Sequence, residues 1–407
     1  MVYPRRPMVT RQLDPKSPWM LALLAALVAL GPLSVDMYLP AMPTIMRAFD
    51  TDISQMHLTL SSYLAGFALF HLACGPLSDR YGRKPILIGG TLLFMAACVG
   101  CGMSETVGEM LWFRFLQGIG ACVGPTLARA VARDVFDPSG VARALSLIAM
   151  LMALAPAVAP VIGGAMLLVL PWPSIFIFLA AYGAVMILLI LVFLRESLPE
   201  AQSLHPRTII RNFGEMLVDP LFLTVTVCSG LIYAGLMVYL ASSSFIFIDM
   251  LGVPQQYYGF IFLGSVFGYM GGSALSARLS RSRDSERIMR LGVIMAMYAS
   301  ALVLICSYTW PTSVLALLVP MMLYSVAMGL VLPHAMAIAL RPFAHIAGTA
   351  SALLGFIQMS LSAIASAFTG LFLTTTPLPM VWMLVAISAL SLILGLRAHS
   401  LYKLTKP

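Results

Sequence analysis

The chain has 407 residues, 60% of them hydrophobic and only 10% charged, with a net charge of +8; soluble domains carry roughly one quarter charged residues. So little charge excludes a string of water-soluble domains and makes lipid the natural solvent. At roughly 20 apolar residues per crossing, plus loops, the length accommodates about a dozen spans.

Apolar runs between charge and turn clusters place helices near 18–39, 56–76, 85–103, 109–131, 141–169 and 174–194. A second set follows near 219–247, 256–277, 288–307, 313–334, 347–373 and 379–397. Backbone groups in lipid must bond internally, and runs this long without alternation specify helices. The expected fold class is all-α and polytopic, with 12 transmembrane helices and both termini cytoplasmic.

Charge placement tests this topology independently. With the amino terminus inside, all of the 24 basic residues except Arg47 and Arg114 fall on inner segments, as the positive-inside rule requires. The net charge is therefore a topology signal and not a nucleic-acid footprint. The first apolar stretch runs about 20 residues with no A-x-A cleavage pattern behind it, so it reads as a membrane anchor. Cys74, Cys98, Cys101, Cys122, Cys228 and Cys306 all fall in expected spans. Cys98 and Cys101 form a C-x-x-C, but no other ligand or redox partner accompanies it, and helix packing is the simpler reading. No metal and no cofactor is expected.

The expected organisation is a cytoplasmic segment (1–17), a six-helix bundle (18–195), a polar cytoplasmic linker (196–218), a second six-helix bundle (219–397) and a tail (398–407). A repeat supports it: Gly75-Pro-Leu-Ser-Asp79-Arg80-Tyr-Gly82-Arg83 aligns at an offset of 198 with Ser273-Ala-Leu-Ser-Ala277-Arg278-Leu-Ser280-Arg281. Duplicated halves imply a pseudo-two-fold axis along the membrane normal and a substrate site between them near the midplane.

In the first copy, Gly75 would let helices approach closely, Gly82 would permit a tight turn, and Asp79 would accept from arginines or from a helix amino terminus. Arg80, Arg83 and Lys84 either take part in a cytoplasmic gate or only fix orientation. Asp134 is a candidate partner for Arg80 and Arg83. Ala277 replaces the acid in the second copy, so the second half's counterpart should be weaker or differently built.

The stretch Gly75-Pro76-Leu77-Ser78-Asp79-Arg80-Tyr81-Gly82-Arg83-Lys84-Pro85 resembles the major facilitator loop signature G-x-L-a-D-r-x-G-r-k. Arg114-Phe-Leu-Gln117-Gly118-Ile-Gly120 is similar to that superfamily's fourth-helix R-x-x-Q-G motif. Ala155-Pro156-Ala-Val-Ala159-Pro160-Val-Ile-Gly163-Gly164 resembles its antiporter signature, with Ala155 and Ala159 replacing two glycines. Ser34-Val-Asp36-Met-Tyr38-Leu-Pro40-Ala-Met-Pro43 and Arg341-Pro342-Phe343-Ala-His345-Ile-Ala-Gly348-Thr-Ala-Ser351 resemble the Bcr/CflA branch, proton-coupled exporters of the bicyclomycin and chloramphenicol resistance type. The resemblance implies a proton antiporter for small drug-like compounds in a bacterial inner membrane, acting as a monomer, with protons and a small-molecule substrate as its ligands.

Two charged residues lie well inside spans. Asp36 falls about 27 Å along an outward-running helix and Arg114 about 7.5 Å below the outer surface of a helix running back. Their similar depth makes contact possible. Asp36 is the candidate proton carrier, its charge set by desolvation and by the distance to Arg114, so that substrate and proton would compete; the plainer reading is a helix-end residue near headgroups. Glu109 and Asp249 lie closer to the outer surface and read as interface residues. Pro156 and Pro160 followed by Gly163 and Gly164 give a span able to bend and pack closely, or a static kink. Tyr38, Tyr63, Phe67, Gln117, Tyr239 and Gln358 are candidate pocket residues, being aromatic or polar-tipped groups on central spans. His71 and His334 read as packing histidines. The alternative function is export of a metabolite such as a sugar or nucleoside, since one scaffold hosts many substrates; an enzyme or a receptor would need a catalytic cluster or an output domain that the sequence does not present.

Overall fold

The computed structural model describes residues 18–136, 154–198 and 206–405. The described residues are helical, without strands. The first six long helices are α1 (Pro18–Asp36), α2 (Ile53–Tyr81), α3 (Arg83–Met103), α4 (Val107–Val135), α5 (described over Leu154–Met166) and α6 (Pro173–Phe193). The second six are α7 (Pro220–Ser244), α8 (Gln255–Leu279), α9 (Ser285–Thr309), α10 (Val314–Leu340), α11 (Ala347–Phe372) and α12 (Leu378–Thr405). Among the described residues ten helices are long and apolar enough to cross a membrane. The other two are α4, as long as α2 but richer in charge, and α5, whose expected inner half at 141–153 lies outside the described residues.

Helix ends follow local chemistry. Asp52 and Asp219 accept hydrogen bonds from Gln55 N and Phe222 N, which caps α2 and α7 at their first turns. Thr106 and Glu109 form a capping arrangement at the start of α4, Thr106 Oγ1 accepting from Glu109 N and Glu109 from Glu105 N. Gly82, with φ +99°, ends α2 and turns the chain into α3, a conformation other residues resist. The first span departs from the expected 18–39: α1 stops at Asp36, and a 3-10 turn (Leu39–Ala41) and a short helix (Met42–Ala48) continue it. Pro40 and Pro43 start these pieces, since each lacks the N–H that an unbroken helix needs.

Packing repeats between the halves. In the first, α4 packs on α1, α2 and α3, and α3 on α6; in the second, α10 packs on α7, α8 and α9, and α9 on α12. Backbone contact at glycines brings α2 and α4 together, because a Cβ on Gly118 would meet the Tyr63 carbonyl and one on Gly66 the Phe115 carbonyl. Gly264, Gly268 and Gly272 make the matching seam of α8 against Met322 and Val326 of α10. Gly118→Leu is expected to cost more than about 3 kcal/mol by overpacking against backbone, read as loss of monodisperse protein on size exclusion.

The segment expected as a bare polar linker contains a helix, Pro206–Val218, that packs on α7 and α11. Among its described side chains the buried apolar anchor is Met216, too sparse a signal to stand out beside the spans.

Candidate functional site

Taking the basic side as inner, the halves meet along α2 and α11 and across their outer ends. The Cβ vectors of Gly370 and Gly355 point at His57 and His71, so the two helices lie ring against backbone. On the outer side Arg47 Nη1 donates to Asp249 Oδ1 at 3.0 Å. Gln255 Nε2 donates to the Pro40 carbonyl, and at 3.3 Å to Thr44 Oγ1. The expected antiporter residues complete the seal: Gly163 packs against the backbone of Met37 and Gly164 against the Gln255 carbonyl, while Gly259 admits Val161. Pro156 and Pro160 lie on the same stretch, and Ala159 beside them is fully buried. The outer side is closed by contacts between residues far apart in sequence, 202 positions for Arg47–Asp249 and 215 for Pro40–Gln255.

Arg47 and Asp249, expected as an outside exception and an interface residue, are partners. Half exposed, the pair contributes at most about 1 kcal/mol. Arg47→Asp or Asp249→Arg alone is expected to raise the outer-open population up to about fivefold, and the double exchange to restore it, read as spin-label distances between cysteines placed at Glu105 and Thr312.

The inner side bonds within the first half. Arg83 pairs with Asp79, with Asp134 at 3.0 Å and with Ser78 Oγ. Asp134 also accepts from Ser197 Oγ at 3.3 Å. Glu196 was not expected: its Oε1 accepts from Arg83 N at 2.8 Å and its Oε2 from Lys84 N at 3.1 Å, capping α3, while Lys84 Nζ donates to Leu191 and Leu194 carbonyls at the end of α6. Arg80 stacks over Tyr81 instead of joining Asp134. Gly75 differs from expectation, having nothing within 4 Å of a Cβ position, so no close helix approach requires it in this conformation. In the second half, where Ala277 replaces the acid, Ser276 and Ser280 bond to His334 at 2.9 and 3.4 Å.

Asp36 sits at the outer end of α1, 4% exposed, and turns toward the second half, within electrostatic range of Tyr233 and Tyr258. Among the described residues its carboxylate makes no ion pair. The expected contact with Arg114 is not made. Arg114 is 0% exposed and lies between the rings of Tyr38 and Tyr63, at 4.3 and 4.6 Å from their centroids. Its Nη1 donates to the Ser34 carbonyl at 3.1 Å and to Gln117 Oε1 at 2.6 Å; Nε and Nη2 are buried without a partner. The reason is azimuth: equal depth does not turn two side chains toward each other.

Of the six expected pocket residues, four gather in the first half. Tyr38 bonds Thr59 and Tyr63 bonds the Gly31 carbonyl, Gln117 donates to Cys98 Sγ, and Phe67 packs between Tyr63, tilted, and His71, edge-on. Tyr38, Tyr63 and Gln117 hold the guanidinium and are fully packed. Tyr239 and Gln358 belong to the second half, Tyr239 beside Phe247 and Gln358 against Gly230. His57 and the tyrosines Tyr233 of α7 and Tyr258 of α8 were not singled out by sequence; only the facing of helices distinguishes them. Among the described residues no group of three metal-ligating side chains occurs.

Residues 24–367 match the Major Facilitator Superfamily. The chain belongs to this family. The uncharacterized MFS-type transporter YdgK of Bacillus subtilis is 34% identical over 364 residues, 88% of this chain and 90% of that protein. The multidrug resistance protein MdtL of Vibrio parahaemolyticus is 31% identical over 369 residues, 91% of this chain and 93% of that one. A crystal structure of a bacterial homolog to the human lysosomal transporter Spinster, inward-facing and occupied, superposes with a TM-score of 0.74 at 17% identity, covering 96% of this chain and 98% of that chain. This major facilitator protein is thus a multi-pass membrane transporter.

Proposed function

We propose that the chain exports small, largely apolar drug-like compounds across a bacterial inner membrane by proton antiport, as a member of the Bcr/CflA branch. The carrying observation is the buried carboxyl of Asp36, placed between the halves without an ion pair. A carboxylate at such depth costs about 2.5–3.5 kcal/mol on insertion scales and marks function by default. The name of the MdtL relative, a multidrug resistance protein, supports the substrate class.

Arg114 supplies the second part. It already holds the Ser34 carbonyl, two residues before Asp36, and keeps the N–H groups of two nitrogens, Nε and Nη2, idle. A shift of α1 as the halves rock would offer those groups to the ionised carboxylate, while the neutral acid stays toward the tyrosines of the second half. Substrate in the central space and a proton on Asp36 then exclude each other. The inner network of Asp79, Arg83, Asp134 and Glu196 holds α2, α3, α4 and α6 as one unit, so that the first half moves as a body.

The test is efflux of ethidium, chloramphenicol and bicyclomycin from cells with and without the protein, repeated with the proton gradient collapsed. Gradient-dependent protection against chemically varied compounds is expected; an unchanged profile supports the metabolite reading instead.

A further inference from the structure

The outer seam contains a histidine that the exchange at Asp36 does not use. His57, five positions after the cap of α2, is fully buried. Its Nδ1 lies 3.0 Å from the Ser366 carbonyl on α11, and its ring stacks on Phe245, 6.1 Å away at 24°. A carbonyl only accepts, so Nδ1 carries the hydrogen and Nε2 keeps the lone pair. That Nε2 is buried with no partner. Around it lie Phe245, just past the end of α7, and Ser366 and Gly370 of α11, none of them charged. Asp52 on its own helix is occupied with the α2 cap, and Asp249, beyond Phe245, pairs with Arg47. Ser366 Oγ also lacks a partner in the seam but does not reach Nε2.

The geometry points to His57 as a second proton-binding site, one that opens the outer side when protonated from outside. Adding a proton to Nε2 in the closed seam creates a buried cation whose new N–H has no acceptor. Parting α2 from α7 and α11 exposes the ring to water, which accepts from both nitrogens. Proton binding and outer closure are therefore linked and opposed: acid outside draws the equilibrium toward the outer-open form. The direction suits a protein loaded from inside, because external protons open the path of release. The inference rests on the seam alone and does not depend on which compound is exported.

The test uses the full-length protein in nanodiscs, with native cysteines replaced and spin labels on cysteines at Glu105 and Thr312. Between about pH 8 and about pH 5.5, the wild type is expected to gain a long outer distance, His57→Gln to lose that response, and Asp36→Asn to keep it. A His57→Gln protein that responds like wild type, or a wild type that ignores pH, overturns the proposal. Should His57→Gln not fold, His57→Asn replaces it. Independently, the 15N spectrum of a protein whose other histidines are glutamine should show the Nδ1–H tautomer at high pH; an Nε2–H tautomer contradicts the inference.

Discussion

Asp36→Asn is expected to fold as the wild type and to lose proton-driven efflux down to the level of empty vesicles. The substitution keeps size and polarity at a site with no ion pair to break, so nothing in the packing of α1 against α4 changes. What it removes is the ability to take up a proton on one side of the membrane and release it on the other. Exchange of labelled substrate without a gradient should survive in the variant, because that cycle needs alternation but no net proton movement. Reconstituted vesicles with an imposed pH gradient separate the two activities, and gradient-driven efflux by the variant would exclude Asp36 as carrier.

Arg114→Met should separate stability from transport. A buried cation with two unpartnered nitrogens contributes little net stability, and replacing such a charge with an apolar chain of similar volume is commonly neutral or stabilising by about 1–4 kcal/mol. Met keeps contact with the Tyr38 and Tyr63 rings. The thermal midpoint in detergent is expected to hold or rise. Transport is expected to fall at least about tenfold, since one charge-assisted hydrogen bond is worth about 1.5–3 kcal/mol. A stable variant with full transport would show that Arg114 only braces its tyrosines.

Much of this architecture is legible in sequence because lipid imposes it. Run length located the spans, charge asymmetry oriented them, and the turn at Gly82 was foreseeable from the loop pattern alone. Gly163 and Gly164 were expected to pack closely, and a Cβ on either would meet backbone of Met37 or Gln255. The partners of charged side chains were harder. Arg114 and Asp36 share a depth yet face different neighbours, and Arg47 and Asp249 are joined although 202 positions separate them. Depth follows from counting along one helix; azimuth depends on how several helices rotate against each other. Glu196 escaped for another reason, since a carboxylate just past a span resembles any solvated loop residue until α3 places its first N–H groups beside it. The reverse error occurred at Gly75, where a glycine within a strong motif meets no neighbour in the closed-outer form.

The most direct measurement is proton release on substrate binding in a weakly buffered solution of the purified transporter. Adding ethidium near neutral pH should acidify the medium with the wild type, and leave it unchanged with Asp36→Asn at equal occupancy. Binding by the wild type with no acidification, or equal acidification by both proteins, would contradict competition between substrate and proton at Asp36.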